Sequence, residues 1–409
     1  MTSIVHPGDA LSGRQRLVYV LVLGALTALG PFTVDLYLPS LPDVQHEFAV
    51  TPALVQLTLS ATTIGFALGQ LLVGPWSDSV GRRIPLIAAT MLHVVASILV
   101  ALSPNIELLI VFRVLQGFGA AAGGVVAVAT VRDLFGGYPL VRMLSRLALV
   151  SGLAPVIAPL AGSALLLVFP WRGIFWVLAG YGLVVVAASI VFIVETLPQH
   201  RRREPGATTV GERYRALFHD RQFVGIAILS GMVFSGLFAY LTTSPFLFQD
   251  HFNFTPQQYG LLFAVNSVGI IVGVQSSSRI ARHVGPQWIL AFATAALLLA
   301  ATVIVVDGLL DNGLWGILIP LWFFITACAF CFPCLQAVAL AHHGAEAGTA
   351  ASVLGAANFG LAGLISPLIG LFGVGTSIPM GVMMMCTSVA GILSLWLIVR
   401  PRTVAALEH

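Results

Sequence analysis

Long apolar runs alternate with short polar breaks along this chain, and twelve of the runs are long enough to cross a bilayer as helices of roughly 20 residues. They cover 17–41, 53–75, 84–102, 106–130, 146–168, 173–194, 222–248, 257–278, 287–306, 314–339, 348–372 and 376–399. One long polar stretch, Glu195 to Arg221, interrupts them after the sixth run and contains Arg201, Arg202 and Arg203. The pattern predicts an all-α integral membrane protein, with twelve transmembrane helices in two six-helix bundles. Residues 1–16 form a polar N-terminal segment, 17–194 the first bundle, 195–221 a linker, 222–399 the second bundle and 400–409 a tail. The apolar run from Leu17 is too long for the core of a cleavable signal and is read as the first span.

Composition agrees with the pattern. Of 409 residues, 58% are hydrophobic and 9% charged, against about 25% charged in a soluble domain. The net charge of +3 says nothing of nucleic acid, because where the arginines lie matters more than their sum. All 19 basic side chains are Arg. With both termini in the cytoplasm, 17 of them fall inside, Arg172 falls outside and Arg113 lies within the membrane, the orientation expected when positive charge stays inside. The outer loops then carry Asp43, Glu47, Glu107, Asp250, Asp307 and Asp311.

Arg113 is the most informative residue. A cation inside a membrane helix costs several kcal/mol and needs an acid, a watery cavity or a ligand beside it. The acid buried at comparable depth is Asp35. Asp35 lies six residues before Leu41, about 9 Å inward, and Arg113 seven residues after Ile106, about 10 Å inward. Equal depth lets the two meet, with Gln116 one turn on from Arg113 able to bond either. Hydrocarbon favours the neutral acid and a guanidinium favours the carboxylate, so Asp35 is a candidate proton carrier tuned by Arg113 and Gln116. The second half holds no comparable charge. Tyr240, Asn266, Gln336 and Asn358, with Tyr37 in the first half, are the candidate substrate contacts, in helices rich in Phe that suit amphiphilic molecules better than sugar phosphates. For each of these residues a helix–helix hydrogen bond is an equal alternative.

Three motifs narrow the class. Between the second and third spans runs Gly74-Pro75-Trp76-Ser77-Asp78-Ser79-Val80-Gly81-Arg82-Arg83. Gly74 and Gly81 permit a tight turn, and Asp78, Arg82 and Arg83 can latch neighbouring helix ends. The fourth span reads Arg113-Val114-Leu115-Gln116-Gly117-Phe118-Gly119. In the fifth, Gly152, Pro155, Pro159 and Gly162 are spaced 3, 4 and 3, which puts two kinking prolines and two glycines on one face.

These motifs resemble those of the major facilitator superfamily: its inner-loop signature, the helix-4 signature of its proton-coupled exporters, and its antiporter motif, with Ser163 in place of the final glycine. Val34 to Pro42, Gly65 to Gln70, Trp171 to Trp176, Glu195 to Pro198, Ser244 to Phe246 and Gly348 to Ser352 extend the likeness to the bicyclomycin/chloramphenicol-resistance branch of drug:proton antiporters, over nearly the whole chain. The resemblance implies an inner-membrane, monomeric exporter of small amphiphilic drugs in exchange for protons, with no cofactor. It also implies that Asp78 faces the N-terminus of the eleventh helix, near Gly348. A metabolite exporter or symporter on the same scaffold, or a membrane sensor, is the alternative. Cys328, Cys331 and Cys334 mimic an iron–sulfur spacing but sit inside an apolar span without a fourth ligand nearby; His93 and the His342-His343 pair are not expected to bind metal. No catalytic constellation or phosphate-binding loop is found in the sequence, so the chain is not read as an enzyme and its energy is expected to come from a gradient.

Overall fold

The computed structural model describes residues 7–197, 199, 210–341 and 347–403. Arg201, Arg202, Arg203 and the His342-His343 pair lie outside the described residues. Twelve helices among the described residues are long and apolar enough to span a membrane. Several run a turn or more past the apolar run that announced them, as Pro52–Val80 does against 53–75.

Two compact units organise these helices: Met1–Tyr37 with Ile64–Ala207, and Leu38–Thr63 with Thr208–His409. The division by sequence at 195–221 therefore omits one exchange. The end of the first span and the beginning of the second group with the later half of the chain.

The first unit contains α1 (Gly13–Asp35), the later part of α3 (Pro52–Val80), α4 (Arg83–Ala101), α5 (Ile106–Leu134), α6 (Gly137–Leu165) and α7 (Trp171–Phe192). Local sequence sets where these helices start. Ser12 and Gln15 form a capping box that satisfies the first free amides of α1, and Asn105 accepts from Leu108 N at the start of α5. Gly81 joins α3 to α4 at φ 108°, a conformation that a side chain would strain. Buried hydroxyls bond within their own helices, Thr33 to Leu29 O and Thr90 to Leu86 O, as hydrocarbon requires of every polar group. Around α5, α4 and α1 pack closely, α7 covers α4, and α6 runs along α1.

The second unit holds α2 (Leu41–Phe48), the early part of α3, α8 (Val210–His219), α9 (Arg221–Phe246), α10 (Pro256–Val284), α11 (Pro286–Leu310), α12 (Gly313–Leu340), α13 (Ala347–Ile365), α14 (Pro367–Leu371) and α15 (Ile378–Leu393). Thr255 and Gln258 cap α10 as Ser12 and Gln15 cap α1. The segment borrowed from the early chain is tied in by polar groups. Gln56 Nε2 donates to Thr242 O at 3.1 Å and Gln249 Nε2 to Pro39 O at 3.0 Å. Cys328, Cys331 and Cys334 are buried in α12, where Cys334 Sγ lies 3.3 Å from Ser277 Oγ of α10.

Candidate functional site

Arg113 is fully buried on α5, where Thr33 of α1, Tyr37 just past it, Gln116 of α5 and Phe175 of α7 meet its side chain. Its Nη1 donates to Thr33 O at 2.9 Å and to Gln116 Oε1 at 2.7 Å. The guanidinium carbon lies 4.8 Å from the Tyr37 ring centroid and 5.5 Å from that of Phe175, and the two rings pack at 5.2 Å. Helical spacing makes this arrangement possible, since Arg113 and Gln116 are three apart and share a face.

Gln116 is itself held. Its Nε2 donates to Ser97 Oγ at 2.8 Å, and Ser97 in turn donates to His93 O at 2.7 Å. His93 Nδ1 lies 3.3 Å from Gln116 O. A backbone carbonyl only accepts, so His93 carries a proton on Nδ1 and a ring of bonds closes through Gln116, Ser97 and His93. Every member is buried. The sequence reading placed Gln116 correctly beside Arg113 but assigned nothing to Ser97, Thr33 or Phe175. His93 and Ser97, one turn apart and both polar in an apolar span, were the available signal.

No ion pair joins Asp35 to Arg113 among the described residues. Equal depth was not enough, and the reason is angular. Residues two apart on a helix point about 200° away from each other. Arg113 meets the Thr33 carbonyl and the Tyr37 ring, four residues apart, and on helical spacing Asp35 midway between them is offset from that face. Asp35 is itself buried.

Neutral groups carry much of the cost of burying Arg113. A buried Arg costs about 3 kcal/mol on insertion scales. Each desolvated cation–π contact returns up to about 2 kcal/mol, and each hydrogen bond from a charged group about 1.5–3 kcal/mol. The contacts to Thr33, Gln116, Tyr37 and Phe175 offset much of that cost, while the buried Nη2 makes no hydrogen bond.

The antiporter-motif residues divide. Gly162 of α6 is buried with its bare Cα against Leu36 O, so even one methyl there would collide with the backbone beside Asp35. Pro159 is buried one turn earlier and Pro155 half-buried. Gly152 is exposed and has open space where a Cβ would stand, so it does not mediate the close helix approach expected of it.

At the α3–α4 turn the loop motif forms a second polar centre. Arg82 Nη1 donates to Asp78 Oδ1 and to Ser77 Oγ at 2.9 Å, and Arg82 Nε donates to Asp133 Oδ2 at 2.8 Å. Burial opposes the charge on Arg82, but Asp133 and Asp78 outweigh it and hold its pKa above the ordinary value. Glu195 accepts from the Arg82 and Arg83 amides at 2.8 and 3.2 Å, an acid on the positive end of α4. Arg83 Nη2 reaches Ile190 O. The helix-terminus acid of this unit is therefore Glu195, while Asp78 is engaged one turn along with Arg82. Asp133 and Glu195 were missed in the sequence; each is an acid at a span boundary, on the same side of the membrane as the arginine pair. Gly74 lies in the last turns of α3.

In the second unit, Asn266 Nδ2 donates to Tyr240 Oη at 2.9 Å, and the Tyr240 ring stacks on Phe263 at 5.3 Å. Both polar ends are thus spent largely on each other. Gln336 is exposed on α12. Asn358 is half-buried on α13, and its buried Oδ1 accepts no hydrogen bond. Beside it, Phe359 meets Phe234 edge-on at 5.0 Å, and Phe234 also contacts Phe238 and Phe332.

Twelve membrane-length helices, one of them carrying a buried, hydrogen-bonded cation, make this a multi-pass membrane protein. Residues 23–367 match the Major Facilitator Superfamily, and the chain belongs to that family. It is 34% identical to the MFS-type transporter YdgK of Bacillus subtilis, over 96% of this chain and 98% of that protein. It is 29% identical to the bicyclomycin resistance protein homolog of Haemophilus influenzae, over 90% and 92% of the two chains. A crystal structure of a D-xylose-proton symporter superposes with a TM-score of 0.80 over 96% of this chain and 99% of that one, at 14% identity, and so shares the fold.

Proposed function

We propose that this transporter is a proton-coupled antiporter of a bacterial plasma membrane, exporting small amphiphilic drugs with both termini in the cytoplasm and acting as a monomer. The observation that carries the reading is the Arg113 site. Arg113 is held by a carbonyl, an amide and two rings, its buried Nη2 makes no hydrogen bond, and Asp35 lies between two of the residues it touches.

While Asp35 is neutral, Arg113 rests on neutral groups alone. When Asp35 loses its proton, the carboxylate and the guanidinium attract across a gap that a modest turn of the α1 end closes, since Thr33 and Tyr37 already rest on Arg113. Gln116, held by Ser97 and His93, keeps the arginine fork oriented through the exchange. Gly162, against Leu36 O, couples that movement to α6, the helix carrying the antiporter motif. The Asp78–Arg82–Asp133 centre is read as a latch of the cytoplasmic side, opened and closed once per cycle.

The name of the Haemophilus relative supports a drug substrate, and so does the Phe234, Phe238, Phe332 and Phe359 wall around Asn358 in the second unit. Planar and apolar faces with one amide suit molecules of varied shape. The test is a drug-susceptibility panel, including bicyclomycin and chloramphenicol, in an efflux-deficient bacterial host. Resistance to at least one drug that disappears on dissipating the proton gradient is the expected result. Resistance to none, with uptake of a metabolite instead, overturns the reading.

A further inference from the structure

A trough of about 770 Å³ runs between α11 and α12 in the second unit. Its rims are Phe292, Leu299, Trp315 and Phe323, with exposures of 79, 67, 70 and 59%, and buried alanines of α11 form its floor. From Phe292 to Asp307 it follows fifteen residues of α11, roughly 22 Å at 1.5 Å each. Such a length matches a hydrocarbon chain rather than a compact solute, because one leaflet of the bilayer core is about 15 Å deep.

The polar groups gather at one end. Asp307, in the last turn of α11, accepts from Asn312 Nδ2 at 2.6 Å, and Trp315 stands one turn into α12. Gly316 makes room for the pair, since a Cβ there would come within 3.2 Å of Asp307 Cγ and 2.9 Å of Asn312 Cβ. The carboxylate is thus set over the mouth of the trough, where the α11–α12 loop meets the head-group level and where tryptophan is favoured. Asp311 adds a second acid in that loop, and no arginine is among the residues lining the trough.

We propose that this trough binds a phospholipid with a primary ammonium head group, its acyl chain along α11 and its ammonium on Asp307. Charge decides against an anionic lipid, which would face Asp307 and Asp311 without a cation to hold its phosphate. Hydrogen bonding decides against a quaternary ammonium, because only N–H donors make the short, charge-assisted bond that Asp307 offers. An exported drug is the weaker occupant. The rims leave the trough open to hydrocarbon along its side, whereas drug sites enclose most of their ligand.

The experiment uses the full-length protein with Trp315 as its remaining tryptophan, in phosphatidylcholine vesicles containing brominated phosphatidylethanolamine or brominated phosphatidylglycerol as the quencher. Quenching by the ethanolamine lipid should match about a fivefold local enrichment, the effect of one exposed charge pair, and Asp307→Asn should abolish it. As a second measurement that keeps all native tryptophans, lipid retained by the wild-type and Asp307→Asn proteins after detergent purification is identified by mass spectrometry. The same loss of the ethanolamine lipid is expected. Equal quenching by the glycerol lipid, an unchanged Asp307→Asn variant, or displacement of the lipid by a cationic drug at transport concentrations would each overturn the proposal.

Discussion

At the α3–α4 turn, Arg82 is wrapped by two carboxylates and a serine, with Glu195 on the adjoining amides. Arg113, deeper and fully buried, is met by a carbonyl, a side-chain amide and two aromatic rings. A buried arginine held by carboxylates is strongly bound, and breaking such a pair strands an uncompensated charge. One held by neutral dipoles and ring faces is comfortable where it is, yet remains responsive to a new charge nearby. On the proposed reading, Arg82 is clasped firmly whenever the latch is closed, while Arg113 is poised to answer a charge on Asp35.

The sharpest way to break the comparison is to remove each cation. Arg82→Ala removes the guanidinium from Asp133 and Asp78, leaving the partly exposed Asp133 with Thr196, so stability should fall by about 1–3 kcal/mol, read as a lower detergent melting temperature and poorer yield. Arg113→Lys, by contrast, keeps the charge but loses the planar fork that spans Thr33 and Gln116. Its stability should change by less than that of Arg82→Ala, while drug efflux in vesicles should fall about tenfold, as for a 1.4 kcal/mol loss in a required orientation. Wild-type transport by the lysine variant would mean that the Arg113 site is merely another structural clasp.

Smaller effects sharpen the same contrast. Gln116→Leu removes the acceptor for Arg113 and a donor to Ser97, and should cost about 1–3 kcal/mol of stability as buried partners go unsatisfied. Ser97→Ala, one step further along the ring, should cost about 1 kcal/mol and lower transport in proportion less than Arg113→Lys. Asp78 has a side chain that is 43% exposed, so Asp78→Asn should change melting by no more than about 1 kcal/mol. Turnover should nonetheless drop, with drug affinity in detergent nearly unchanged. An affinity collapse with turnover per bound drug preserved would move Asp78 from the latch to the binding site.

Much of this was legible in the chain because membrane helices obey a simple length rule. The apolar runs located all twelve spans, and the isolated charges Asp35 and Arg113 both fall in the first compact unit. Depth along a helix follows from counting residues, and it did place Asp35 and Arg113 at one level. Direction around the helix follows from counting too, yet needs the partner's face to be known. Only the structure shows that α5 meets α1 through Thr33 and Tyr37. Asp133 and Glu195 escaped notice for a related reason. Each is an ordinary acid at a span boundary until folding brings three separate helix ends together. Gly152 failed in the opposite direction, since its motif suggested close packing and its surroundings are open.

The central claim is that Asp35 carries the exchanged proton while Arg113 is held by neutral groups. Drug-induced proton release from detergent-solubilised protein, followed with a pH indicator in weak buffer, tests this directly. Wild type should release protons on drug binding, and Asp35→Asn should bind drug and release none. Release of equal size from Asp35→Asn would contradict the account.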